Sequence, residues 1–173
     1  MNNKGAYILF FVVIAVLQIF LLNNVTVSVY VAPVIYIACI IMMPLETSQL
    51  AMLMTGLVLG VVMDLTMGVN GLNVVATVPM AFFRRSILHL TTDFSNLVKA
   101  DGVPGPARFG DFRFHRYVIT MMVLHGLLFF GFEWLSFHNI GFFVARLLCS
   151  LAVSAAIVYP LIYIFIPKLT LKS

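Results

Sequence analysis

Four ionisable side chains stand inside long apolar runs of this sequence: Asp64, His125, Glu133 and Arg146. Inside hydrocarbon such a group must find an opposite charge, a hydrogen-bond partner or water. The arginine fork can serve two carboxylates, so Arg146 is expected to pair with Asp64, Glu133 or both, making one intramembrane polar cluster. His125, eight residues before Glu133 and so on nearly the same helical face, reads either as a hydrogen-bonded packing residue or as a ligand or relay. Asp64 likewise either fixes helix register or meets a partner. Reaction chemistry finds no constellation. There is no His-Glu-x-x-His helix, nucleophile elbow or phosphate-binding glycine loop, and no second intramembrane Asp to form a dyad with Asp64. The expectation is a protein that is not an enzyme, with no metal and no cofactor.

The element that must position Asp64 is a ladder of small residues, Gly56-x3-Gly60-x3-Asp64-x3-Gly68-x2-Gly71. Small residues one helical turn apart let another helix approach closely. The ladder is therefore a helix-packing surface, whose mate is either internal or another protein. Ser150 and Ser154, with Ala152 and Ala156, form a similar surface later in the chain and are natural mates.

Composition sets the class. With 62% hydrophobic and 9% charged residues and a mean hydropathy of +1.10, a 173-residue chain exceeds the apolar surface a soluble domain can bury. Backbone groups in lipid must pair within their own element, and unalternated apolar runs read as helices. The fold expected is an all-α polytopic membrane protein, a six-helix transmembrane bundle forming a single domain over 1–173. Its spans are expected at about 5–22, 25–43, 49–67, 72–88, 117–135 and 141–166, with a loop at 89–116. The first apolar run, Gly5 to Leu22, would reach roughly 27 Å at the helical rise. It is read as a span rather than a cleaved signal because no small-x-small site follows it. Pro33 interrupts the second span, which is expected to be kinked or to begin near that residue. Cys39 and Cys149 sit in apolar runs without metal spacing and read as reduced thiols.

Six spans place both ends of the chain on one side. Lys4, Arg84, Arg85, Lys99, Arg108, Arg113, Arg116, Lys168 and Lys172, nine of the ten Lys and Arg residues, fall on that side, and Arg146 falls toward the other. The positive-inside bias puts both termini and the 89–116 loop in the cytoplasm. Arg84 and Arg85, ending the fourth span, are expected to reach lipid head groups along their stems. Arg113 and Arg116 lie in a basic and aromatic run, Arg108 to Tyr117, that reads as a membrane-interface anchor rather than a nucleic-acid surface. Trp134 reads as an anchor at the opposite interface.

A first apolar span, a Pro-led second span, the Gly56–Asp64–Gly71 pattern and a following span ending in arginine together resemble the rod shape-determining protein MreD family over roughly Leu17 to Arg85. The 89–116 loop is longer than the family pattern. The resemblance implies a multi-pass protein of the bacterial inner membrane, a non-enzymatic scaffold in cell elongation and peptidoglycan synthesis. It implies binding to an MreC-type bitopic protein. Through that partner it implies a link to the MreB-type filament inside and to a RodA-type glycosyltransferase and its transpeptidase outside. The family's fold is similar to the six-helix substrate-binding subunit of vitamin importers, so a small-molecule transporter subunit is the alternative. The short outer connections at 23–25, 69–72 and 136–140 count against a lidded pocket.

Overall fold

The computed structural model describes residues 3–22, 29–92, 102–137 and 140–170. Helix α1, Asn3–Val16, runs on into a π-helical turn, Leu17–Leu22. A short α2, Ala38–Ile41, is followed by α3, Gln49–Met67, and α4, Leu72–Thr91. The remainder is α5, Pro106–Phe109, α6, Asp111–Phe137, and α7, Ile140–Thr170. The chain is all-helical. Among the described residues three helices are long and apolar enough to cross a membrane, within Gln49–Met67, Asp111–Leu135 and Ile140–Pro167, and Tyr7–Phe20 is a shorter apolar helix. Pro79 lies inside α4, and Pro160 and Pro167 inside α7, as membrane helices allow. The loop expected at 89–116 is partly helical, because α5 and the first turns of α6, including Arg113 and Arg116, fall within it. The expected span positions 25–28, Lys99 with the rest of 93–101, and Lys172 lie outside the described residues.

The second span departs from expectation. Residues 25–43 do not form a continuous helix; in the described part only Ala38–Ile41 is helical, and residues 32–35 around Pro33 belong to no helix. Residues 33–42 are nonetheless buried without a break. Buried backbone that gives up its helical bonds needs other partners, and the structure supplies them one by one. Ser150 Oγ accepts the Ala32 N–H at 3.0 Å, and Ser154 Oγ accepts the Val34 N–H at 2.8 Å. Between these two, Pro33 has no N–H to place. On the α1 side, Gln18 uses both ends of its amide, accepting the Ile35 N–H at 2.8 Å and donating to the Pro33 carbonyl at 3.1 Å.

The fit is metric. Two residues of extended chain advance about 6.6 Å, and four residues of helix about 6 Å. Ser150 and Ser154, one helical turn apart, therefore meet alternate N–H groups of the segment as a neighbouring strand would. This is the role of the small-residue surface on α7, which serves the 32–34 backbone instead of the glycine ladder.

The glycine ladder packs on α4. A Cβ at Gly60 would stand 2.7 Å from Val74 Cα, and one at Gly56 would stand 2.9 Å from Ala81 Cβ and 3.3 Å from the Thr77 carbonyl oxygen. No side chain fits at that separation without parting the helices. Gly68 and Gly71 do something different from packing: their φ values of +66° and +83° build the turn between α3 and α4, with open space where a Cβ would go.

Replacing Ser154 by Ala leaves the Val34 N–H buried without a partner, so the expected loss is about 1–3 kcal/mol in unfolding free energy. Ser154→Thr, which keeps the hydroxyl, is expected to recover most of it. Reversible denaturation of the purified protein in detergent micelles reads both.

Candidate functional site

The turn made by Gly68 and Gly71 carries the chain back so that Asp64, near the end of α3, faces the start of α4. Its Oδ1 accepts the Asn73 backbone N–H at 2.8 Å and the Asn73 side-chain amide at 3.0 Å, and its Oδ2 accepts the Val74 N–H at 3.1 Å. Asp64 is a helix cap supplied from the preceding helix. The positive end of the α4 dipole and its unpaired N–H groups supply what an isolated carboxylate in an apolar setting lacks. Arg146 is not its counter-ion in the structure, and the expectation of an Asp64–Arg146 pair is corrected. A carboxylate nine residues ahead of Asn73, across a Gly-x-x-Gly turn, was the available signal for this cap.

From Asp64 a chain of polar groups runs inward. The Tyr36 hydroxyl donates to Asn73 Oδ1 at 2.9 Å, and that hydroxyl oxygen lies 3.0 Å from Thr77 Oγ1 and 2.9 Å from His125 Nε2. The Asp64 carboxyl oxygens accept from N–H donors, so the Asn73 amide nitrogen faces them and the Asn73 carbonyl faces Tyr36. Tyr36 then spends its proton on Asn73, and the network assigns the Nε2–H tautomer to His125. His125 is 1% exposed, its ring edge-on to Tyr36 at 5.5 Å and stacked on Phe129 at 6.1 Å. It is a hydrogen-bonded packing residue. Tyr36, Asn73 and Thr77 are the polar residues that the pattern of charges did not single out.

The expected single cluster is thus two. Glu133 and Arg146 are brought together, with Arg146 Nε 2.9 Å from Glu133 Oε2, an ion pair at an angle unsuited to a hydrogen bond. Arg146 Nη1 donates to the Val29 carbonyl, and its guanidinium carbon lies 5.8 Å and 5.7 Å from the ring centres of Phe130 and Phe142. This pair lines a cavity of about 410 Å³ that also meets Phe20, Thr66, Leu72 and Phe129. Trp134, expected at a membrane interface, packs 6.1 Å from Phe143 with its indole N–H buried and, among the described residues, without an acceptor.

Arg84 is the second correction. Instead of reaching for head groups it is 3% exposed, donating from Nε to the Tyr117 hydroxyl at 2.9 Å and from Nη2 to the carbonyls of Met43 and, at 3.5 Å, Ile41. Tyr117 in turn donates to the Ile41 carbonyl at 2.9 Å. The guanidinium ends α2 as Asp64 begins α4. Arg85, Arg113 and Arg116 are exposed, and Arg116 also bonds the Leu90 carbonyl at 2.8 Å. No group of three or more metal-ligating side chains forms among the described residues. At the Arg84 end, a second cavity of about 380 Å³ opens between α3 and α4.

Asp64→Ala strips three donors of their acceptor and is expected to lower unfolding free energy by roughly 2–4 kcal/mol, whereas Asp64→Asn, which keeps one acceptor oxygen, should cost about half as much. Thermal unfolding of the two variants side by side in one detergent checks the ratio. Comparison with protein-family models, with curated proteins and with solved structures finds no match to this chain.

Proposed function

We propose that this chain is a non-enzymatic scaffold subunit of the MreD type in a bacterial inner membrane. It would hold an MreC-type bitopic protein, and through it join the MreB-type filament to the RodA-type glycosyltransferase and its transpeptidase in peptidoglycan synthesis and cell-shape control. The observation that carries the reading is that the Gly56–Gly71 run, on which the resemblance rests, folds as one structural unit. Gly56 and Gly60 seat α4, Gly68 and Gly71 turn the chain, and Asp64 caps the helix that follows. The buried polar groups around it bond to backbone or to one another, which suits a rigid framework better than a reacting centre.

In this reading the chain crosses six times with both termini in the cytoplasm. The second crossing is the irregular segment itself, whose Val29 carbonyl is held by Arg146 at one end and whose Met43 carbonyl is held by Arg84 at the other. Because α4 occupies the glycine ladder, a partner helix must use another surface. Leu50, Met54, Leu57, Val61 and Leu65 are exposed along the opposite side of α3, at the three- and four-residue spacing of a helix-packing seam. Leu57→Trp combined with Val61→Trp is expected to reduce co-purification of an MreC-type partner about tenfold with an unchanged unfolding temperature. Undiminished co-purification removes α3 as the contact.

The cavity beside Glu133 and Arg146 favours a second reading, the substrate-binding membrane subunit of a small-molecule transporter, because opposite charges and an aromatic wall converge on it. A stoichiometric small molecule released from the purified protein, and lost in Arg146→Gln, would establish that reading in place of the first.

A further inference from the structure

We propose that the cavity between the first turn of α3 and the last turns of α4 binds a phosphate group, carried either by an anionic lipid or by a free phosphorylated compound. Its walls include Glu46, Ser48, Gln49, Arg84, Arg85 and His89, and its volume of about 380 Å³ is within the range of small-ligand sites. Arg84 is the centre of the argument. Tyr117, Ile41 and Met43 fix its guanidinium through Nε and Nη2, while Nη1 makes no hydrogen bond among the described residues, and the side chain lines the cavity. A buried arginine held rigid with one donor pair unspent is prepared for an oxyanion.

The surroundings add to this. Arg85 stands exposed on the same wall. The opposite wall is the start of α3, where Ser48 caps the Ala51 N–H at 3.3 Å and the preceding N–H groups have no intrahelical acceptor. Gln49 donates to the Phe82 carbonyl at 3.1 Å, tying that start to α4 and fixing the width of the opening. One carboxylate, Glu46, also lines the cavity, and it accepts the Gly102 N–H at 3.1 Å. Two guanidiniums and a helix start outweigh it. A basic pocket between membrane helices at an interface is a setting in which phosphate head groups bind.

The test is titration of the protein, in phosphatidylcholine nanodiscs, with dihexanoyl phosphatidylglycerol, with inorganic phosphate, and with dihexanoyl phosphatidylcholine as the zwitterionic control, whose choline cation offsets its phosphate. Saturable binding of the glycerol lipid at one site, weakened about tenfold by Arg85→Glu and little by Arg113→Glu, is the expected result. Competition by inorganic phosphate would assign the site to phosphorylated compounds in general, and failure to compete would assign it to the lipid. Equal weakening by both charge reversals, equal binding of the choline lipid, or no saturation overturns the proposal. Should Arg85→Glu lower the unfolding temperature, Arg85→Gln at an unchanged unfolding temperature replaces it, with a weakening of several-fold expected.

Discussion

A non-helical piece of backbone threaded through a helical bundle must be hydrogen-bonded by side chains, and that constraint organises this protein. Ser150, Ser154 and Gln18 take up the N–H groups of Ala32, Val34 and Ile35 and the carbonyl of Pro33. Arg146 and Arg84 do the same for the carbonyls of Val29 and Met43, on either side of that stretch. In hydrocarbon an unbonded peptide group is as unwelcome as a misplaced charge, so polar side chains here act largely as solvent for the main chain.

The same logic explains how a carboxylate is tolerated in α3 without a cation. A helix start offers several N–H groups and a favourable potential, and Asp64 is aimed at one across a four-residue turn. The bond then orients everything behind it. Asn73 is fixed by Asp64, Tyr36 by Asn73, and His125 by Tyr36, so one carboxyl group orients a line of polar groups reaching into α6. Close approach of α3 and α4 at Gly56 and Gly60 is the mechanical counterpart, since Asp64 reaches Val74 only where the backbones nearly touch.

Much of the class was legible in the sequence. Apolar runs and scarce charge gave a helical membrane protein, and Pro33 marked a stretch that would not be a regular helix. The partners of the charges were not legible, for a physical reason. A charge buried in a bundle bonds to whatever the neighbouring element leaves unpaired, and which element is the neighbour is decided by packing across the whole chain. Opposite charge pointed Arg146 to two carboxylates, and it took one of them and a carbonyl. Arg84 looked like an interfacial residue because its helix ends nearby, yet the early end of α2 left carbonyls that drew it inward. Tyr36, Asn73 and Thr77 are individually unremarked in apolar runs and acquire meaning only when the irregular segment and α4 bring them together.

The pairing of the irregular segment with α7 has a consequence for biogenesis. Ala32 and Val34 bond to residues 118 and 120 positions later in the chain, so their N–H groups have no permanent partners until α7 has been made and has packed beside them. The α3–α4 hairpin, by contrast, closes on itself as soon as it is made. Helix α7 therefore acts as a late latch on the irregular segment, and chains stalled before it would display raw peptide groups.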